Sequence, residues 1–193
     1  MHKGRVEAFS DGVIAIIITI MVLELHPPHG VELSSLLELS HSFPAYVLSF
    51  IYVAIYWNNH HHMFQSVQRV NGQVLWLNNF LLFSLSLVPF ATNWMGETEF
   101  ALVPTIAYGA VMFLPGFAYF LLARSLVQLH GADSTLAKAM GRGAKEWFSL
   151  VLYAAGMAAA FVHPYLAFAF YIAVAVFWFT PDRRIEKRLT PET

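Results

Sequence analysis

Long apolar stretches separated by short polar connections dominate this sequence. Six such stretches are predicted as membrane spans, at residues 6–25, 44–64, 73–93, 101–126, 147–162 and 164–180. A bilayer core of about 30 Å needs about 20 apolar residues in a helix, and lipid requires every backbone polar group to bond within the protein. The pattern predicts an all-α membrane protein, with residues 1–193 forming one six-helix domain and no soluble catalytic domain.

The basic residues support this division, because all of them fall on one side of the predicted spans. The connections on the other side carry glutamates and no Lys or Arg. Cytoplasmic connections of membrane proteins are enriched in Lys and Arg, so both termini are expected in the cytoplasm. The eleven basic residues are Lys3, Arg5, Arg69, Arg124, Lys138, Arg142, Lys145, Arg183, Arg184, Lys187 and Arg188.

Composition agrees with a protein embedded in a lipid bilayer. Of the 193 residues, 58% are hydrophobic and 12% are charged, and the mean hydropathy is +0.56. A soluble domain carries about 25% charged residues. The absence of cysteine excludes disulfides and thiol chemistry. The expected partners are the bilayer and monovalent cations, and no nucleic acid is expected.

Two polar segments interrupt otherwise apolar helices at similar membrane depth. The first reads RVEAFSD and places Asp11 inside the first span; the second reads YWNNHHH and ends the second span. An intramembrane carboxylate costs about 3 kcal/mol on insertion scales and therefore needs a partner. We predict one buried cluster across the first two helices, which Asn78 and Asn79 of the third could join. Its members are Ser10, Asp11, Trp57, Asn59, His60 and His61.

Two chemical alternatives for these segments are weaker. Adjacent helical residues point about 100° apart, so the three consecutive histidines cannot share one ion, and no histidine pair has the i, i+4 spacing of helical zinc sites. We therefore expect no fixed metal and no cofactor. Ser, His and Asp are all present, but no nucleophile elbow accompanies them, so we do not expect an enzyme.

The remainder of the first helix presents a continuous apolar face. Ile16, Ile20 and Leu23 recur at i, i+4 and i+7, with Thr19 beside them. This spacing alone is also typical of a lipid-facing helix. The segment has no carbonyl-based potassium filter and no acidic ring in mid-span.

The string RVEAFSD before a β-branched apolar run, together with YWNNHH, resembles the transmembrane protein 175 family of potassium channels. The resemblance covers the whole chain. Animal members carry two six-helix repeats per chain and this chain has one, so the family implies a prokaryotic homotetramer in the cell membrane. Four copies of the first helix would then line a central pore.

The resemblance also implies roles for individual residues. Ile16 is similar to the main hydrophobic constriction of the family, Ile20 and Leu23 to further apolar rings, and Thr19 to a polar layer between rings. The signature that ties the pore helix to its neighbours corresponds to Arg5, Phe9, Ser10 and Asp11. Its partners in the second helix correspond to Trp57, Asn59, His60 and His61.

Three functions remain open at this stage. The first is a potassium-preferring cation channel, in which a ring of Ile side chains closes the pore by dewetting and potassium is bound only in transit. The second is a secondary or proton-coupled transporter that uses Asp11 and the His60/His61 pair as a relay. The third is a membrane scaffold without transport.

Overall fold

The computed structural model describes residues 3–140 and 143–179, and every regular element in these ranges is helical. The prediction of an all-α fold is confirmed. The elements are α1 (Lys3–Leu23), a 3-10 helix (Leu33–Leu39), α2 (Ser42–Gln65), α3 (Gly72–Ser86), α4 (Val88–Glu97), α5 (Leu102–His130), α6 (Thr135–Met140), α7 (Ala144–Ala160) and α8 (Pro164–Phe179). Arg142 and the basic residues from 183 onward lie outside the described ranges.

The predicted spans fall on helices, but the helices differ in their capacity to cross a bilayer. Three segments of the described chain are long and apolar enough, namely residues 3–23, 72–97 and 102–130, and a fourth qualifies if the 3-10 helix and α2 count together. The helices α7 and α8 have 17 and 16 residues. At 1.5 Å per residue they are about 25 Å long. The count of six spans therefore stays a prediction.

The third predicted span is not one continuous α-helix. It is interrupted at Leu87, where a turn separates α3 from α4, and Pro89 occupies the first turn of α4. Proline lacks an N–H and is tolerated at the first turn of a helix but not in its interior. Both halves nevertheless belong to one apolar segment of 26 residues.

The two longest connections contain short helices. Ahead of α2, Leu33–Leu39 forms a separate 3-10 helix, and a bend of 58° separates it from α2. Leu33, Leu36 and Leu37 are exposed on it. The connection between α5 and α7 contains α6.

Helix α1 packs against α2, α3 and α4 through one face only. The buried residues Val6, Ser10, Ile14, Ile17 and Met21 recur every three or four positions, as expected for one helical face. The opposite face is left uncovered by the rest of the described residues. The fold thus holds α1 on one side and presents its other side outward.

On the far side of the subunit, α5, α7 and α8 pack closely around Tyr171. A Cβ atom added to Gly109 would lie 2.2 Å from the Tyr171 hydroxyl oxygen, and one added to Gly156 would lie 2.7 Å from the Tyr171 ring. The Tyr171 hydroxyl donates to the Thr105 carbonyl at 3.1 Å. These two glycines therefore provide the space for a buried, hydrogen-bonded tyrosine.

Candidate pore helix and its polar anchor

A buried chain of hydrogen bonds fastens α1 to α2 and α3. Asn78 Nδ2 donates to Ser10 Oγ at 3.0 Å, and His60 Nε2 donates to Asn78 Oδ1 at 2.8 Å. All three residues are at most 1% exposed. A buried polar group left without its partner costs about 1–3 kcal/mol. The chain therefore fixes the register of α1 against its neighbours.

A second contact between the first two helices lies at the edge of this chain. Trp57 Nε1 donates to Asp11 Oδ1 at 3.0 Å. The His61 ring stacks on Trp57 with 6.0 Å between centroids, and Gln65 Nε2 donates to His61 Nε2 at 2.7 Å. Asp11 was predicted to lie inside a buried cluster, but it is exposed in the described structure, and Trp57 is 41% exposed. The carboxylate is on the outward side of α1, because residue 11 follows the inward-facing Ser10 by one position.

Asn59 is the clearest departure from the predicted cluster. Its Nδ2 donates to the Ile55 carbonyl of its own helix at 2.8 Å, and it lines a separate cavity beside Tyr56 and Tyr153. Two helical positions correspond to a rotation of about 200°, so Asn59 points away from the side of α2 that carries Trp57. The proposed partnership of Asn59 with Asp11 is therefore wrong within the subunit.

The remaining signature residues lie on the outside of the described subunit. Arg5 is exposed and, in the described ranges, forms no ion pair with Asp11. Phe9 is 58% exposed. Asn79 is also exposed, whereas its neighbour Asn78 is buried. The structure therefore does not bring Arg5, Phe9 or Asn79 into the buried cluster.

Lys3 is an anchor that the sequence analysis missed. Its Nζ donates to the carbonyl oxygens of Phe64 at 2.7 Å and Gln65 at 3.3 Å. These carbonyls lie in the last turn of α2, where unpaired C=O groups and the helix dipole favour a cation. The available signal was a basic residue placed before the first span, on the same side as the end of the second.

The four predicted pore residues lie on the uncovered side of α1. Ile16 is 59% exposed, Ile20 is 41% exposed and Leu23 is 77% exposed. Thr19 is exposed as well, and its hydroxyl donates to the Ile16 carbonyl at 2.8 Å. With its hydrogen engaged by the helix, Thr19 presents only oxygen lone pairs outward. A groove beside this face is walled by α4 residues, among them Phe90, Asn93 and Trp94.

No three His, Asp or Glu side chains of the described residues lie close enough together to hold a metal ion. His60 is buried against Phe64 with 4.4 Å between ring centroids, while His61 faces Trp57 at the surface. The rings therefore point into different surroundings. The arrangement holds helices together and offers no shared coordination site.

Comparisons with known proteins identify relatives over the whole chain. A potassium channel of Chryseobacterium sp. (strain P1-3) is 51% identical over 189 residues, which are 98% of each chain. A crystal structure described as a lysosomal potassium-selective channel TMEM175 homolog from Chamaesiphon minutus superposes with a TM-score of 0.80, at 30% identity, and covers 93% of this chain and 97% of that one.

More distant matches cover about half of the chain. The model of the family described as endosomal/lysosomal potassium channel TMEM175 matches residues 5–89. The endosomal/lysosomal proton channel TMEM175 of Gallus gallus is 33% identical over 109 residues, which are 50% of this chain and 22% of that protein. These relatives are ion channels and not enzymes, as the sequence analysis expected. The chain therefore belongs to the TMEM175 family of membrane ion channels.

Proposed function

We propose that this protein is a potassium-preferring cation channel of a prokaryotic cell membrane. Four identical subunits place their α1 helices around a central pore, each subunit spans the bilayer six times, and both termini are cytoplasmic. The observation that carries the proposal is the uncovered face of α1, with Ile16, Ile20 and Leu23 exposed on a helix whose other face is anchored. The names of the bacterial relatives as potassium channels support the choice of ion.

The polarity of this face favours a pore over a lipid contact. On the same uncovered side, the Thr19 hydroxyl oxygen lies between Ile16 and Ile20 along the helix. Toward hydrocarbon its outward lone pairs would have no partner, whereas in a water-filled passage they accept hydrogen bonds from water. A polar layer between apolar rings therefore suits a passage for hydrated ions better than a lipid contact.

Ile16 supplies the constriction in this mechanism. A ring of four Ile side chains narrows the passage with methyl groups, and water in such a neck loses hydrogen bonds, so the neck closes by dewetting. A cation that crosses must shed part of its hydration shell. Potassium holds this shell less tightly than sodium does, which gives a preference without a fixed binding site or a cofactor.

Reconstitution tests the proposal directly. Purified protein in planar bilayers is expected to give unitary potassium currents, and native mass spectrometry of the same preparation is expected to give four chains. A slow flux that saturates with substrate would assign the protein to the carriers. If folded tetramers show no ion flux, the protein is a membrane scaffold. If native mass spectrometry shows only monomers, a pore lined by four α1 helices is excluded.

The relay alternative makes a different prediction for the two histidines. Replacing His60 and His61 with Gln keeps a hydrogen-bond donor at each position, and His60 needs only a donor toward Asn78 Oδ1. We expect the double variant to retain more than about half of the potassium current, because a preserved hydrogen bond avoids the penalty of an unpaired buried group. Potassium flux and internal pH are measured together in liposomes that carry a potassium gradient.

A proton-coupled carrier would give the opposite result in this assay. Protons would move against potassium at a fixed ratio, an electrical shunt would leave this movement in place, and the Gln variant would abolish it. That outcome would replace the channel by a transporter. The wild-type protein with valinomycin added serves as the shunted control.

A further inference from the structure

We propose that Glu24 sets the preference of the outer mouth for cations over anions and supplies cations to it, and that Asn93 orients this carboxylate. The inference rests on the proposed function, in which four α1 helices line the pore. It assigns a role to a residue beyond the four apolar and polar positions of the constriction.

Glu24 continues the side of α1 that carries the apolar rings. Its backbone N–H donates to the Ile20 carbonyl at 3.1 Å, so helical geometry extends through this residue although α1 ends at Leu23. Positions 16, 20 and 24 are separated by four residues each and therefore lie along one side of the helix. The Glu24 side chain lines the same groove as Ile16 and Ile20. Any arrangement that turns these two isoleucines toward an axis brings Glu24 with them.

Asn93 holds the carboxylate without neutralising it. The Asn93 side-chain amide of α4 donates to Glu24 Oε2 at 3.2 Å. A neutral amide fixes direction and leaves the full negative charge. Glu97, at the end of α4, provides the contrast, because its Oε1 is 3.2 Å from His26 Nδ1, and this imidazole can offset its charge when it is protonated.

No Lys or Arg stands near enough in sequence to offset Glu24. The chain has no Lys or Arg at positions 6–68 or 70–123, which include α1 from Val6 onward, α2, α4 and the connections after α1 and α4. Four such carboxylates around an axis form a ring of the kind that concentrates cations at the entrance of cation channels. Like charges in a narrow entrance raise the local concentration of counter-ions and repel anions.

Ionic strength provides the test, because it screens a ring of charge and leaves a steric constriction unchanged. The Debye length is about 30 Å at 0.01 M salt and about 3 Å at 1 M. We expect Glu24→Gln to lower the unitary conductance for potassium entering from the outer side about threefold near 0.02 M KCl, and to leave it near the wild-type value at about 1 M. In a KCl gradient, the reversal potential should also move toward that of chloride.

Glu32→Gln is the matched control, since it makes the same chemical change on the outer connection. Glu32 is exposed and does not line the groove that contains Ile16 and Ile20. It should behave as the wild type at both salt concentrations. If Glu24→Gln also matches the wild type at low salt, or if Glu32→Gln shows an equal loss, the assignment of Glu24 is overturned.

Asn93→Leu separates orientation from charge. Removing the amide leaves the Glu24 carboxylate in place but no longer oriented, so we expect a partial loss of unitary potassium conductance at low salt. In the Glu24→Gln background, the added Asn93→Leu change should lower this conductance no further. If Asn93→Leu has the wild-type conductance at low salt, Asn93 does not orient the Glu24 carboxylate. This inference can fail without the proposed function failing. If Ile16 variants change the current while Glu24→Gln does not, α1 still lines the pore and only the role of Glu24 at the outer mouth is rejected.

Discussion

Replacing Ile16 with Ala is expected to raise the unitary potassium conductance at least about twofold, because a wider apolar neck stays wet more of the time. Replacing it with Asn should widen the range of permeant ions and lower the preference for potassium over sodium, since the amide substitutes for part of the hydration shell of either ion. Both variants are measured as single-channel conductance and reversal potential in planar bilayers with potassium on one side and sodium on the other.

These variants should not disturb folding of the subunit. Ile16 is 59% exposed within it, and substitutions at such positions change stability by about 0.5 kcal/mol or less. The neighbouring Ile17 is 3% exposed and faces the subunit core. Ile17→Val should cost about 0.5–1.5 kcal/mol of stability and leave conductance unchanged. Wild-type conductance and selectivity in both Ile16 variants, measured on assembled protein, would show that this residue does not form the constriction.

Asp11→Ala is expected to reduce assembly of the tetramer rather than folding of the subunit. In the subunit Asp11 is exposed and accepts one hydrogen bond, from Trp57. A hydrogen bond to a charged group contributes about 1.5–3 kcal/mol, and removing one member of a charged, hydrogen-bonded set that assembly buries costs about 3–5 kcal/mol. The larger figure would leave few tetramers, which native mass spectrometry and size-exclusion chromatography with light scattering would detect.

Two comparisons distinguish the causes of such a loss. Trp57→Phe removes only the donor and should weaken assembly less than Asp11→Ala does. Asn79→Ala changes an exposed polar residue of α3 at similar depth that contributes no hydrogen bond to the chain through Ser10, Asn78 and His60, and it should assemble normally. A stable Asp11→Ala tetramer with altered permeation alone would place Asp11 in the lumen of the pore.

Several features could be predicted from the sequence because they depend on depth and periodicity. The positions of the helices follow from the apolar stretches, and the proximity of Ser10, His60 and Asn78 follows from polar groups at equal depth in adjacent helices. Buried polar groups need hydrogen-bond partners. Polar residues at equal membrane depth in adjacent helices could therefore be predicted to contact one another. The uncovered side of α1 was also visible in the spacing of Ile16 and Ile20.

Other features depend on the angular position of a residue around its helix and on backbone hydrogen bonding. The depth of a residue in the membrane determines neither of these. Asn59 had the right depth but the wrong side of α2, and helical rotation from Trp57 would have excluded it. The interruption at Leu87 follows from Pro89, which lies in the first turn of a new helix. In the sequence, Pro89 was read only as a residue near the outer end of one continuous span. The partners of Lys3 are backbone carbonyls, which leave no trace in the side-chain pattern, so its only signal was a positive charge on the same side as the end of the second span.

The separation of α3 from α4 has a mechanical consequence for α1. Its inner end is fastened to α3 through Ser10, and its outer end to α4 through Glu24 and Asn93. The interruption at Leu87 lies between these two fastenings. Residues 10 and 24 are 14 positions apart, or about 21 Å along a helix. Rotation of α1 by about 5° about its inner fastening therefore displaces its outer end by about 2 Å. In the proposed tetramer, such a displacement of the outer end of each α1 helix would change the diameter of the outer opening by about 4 Å.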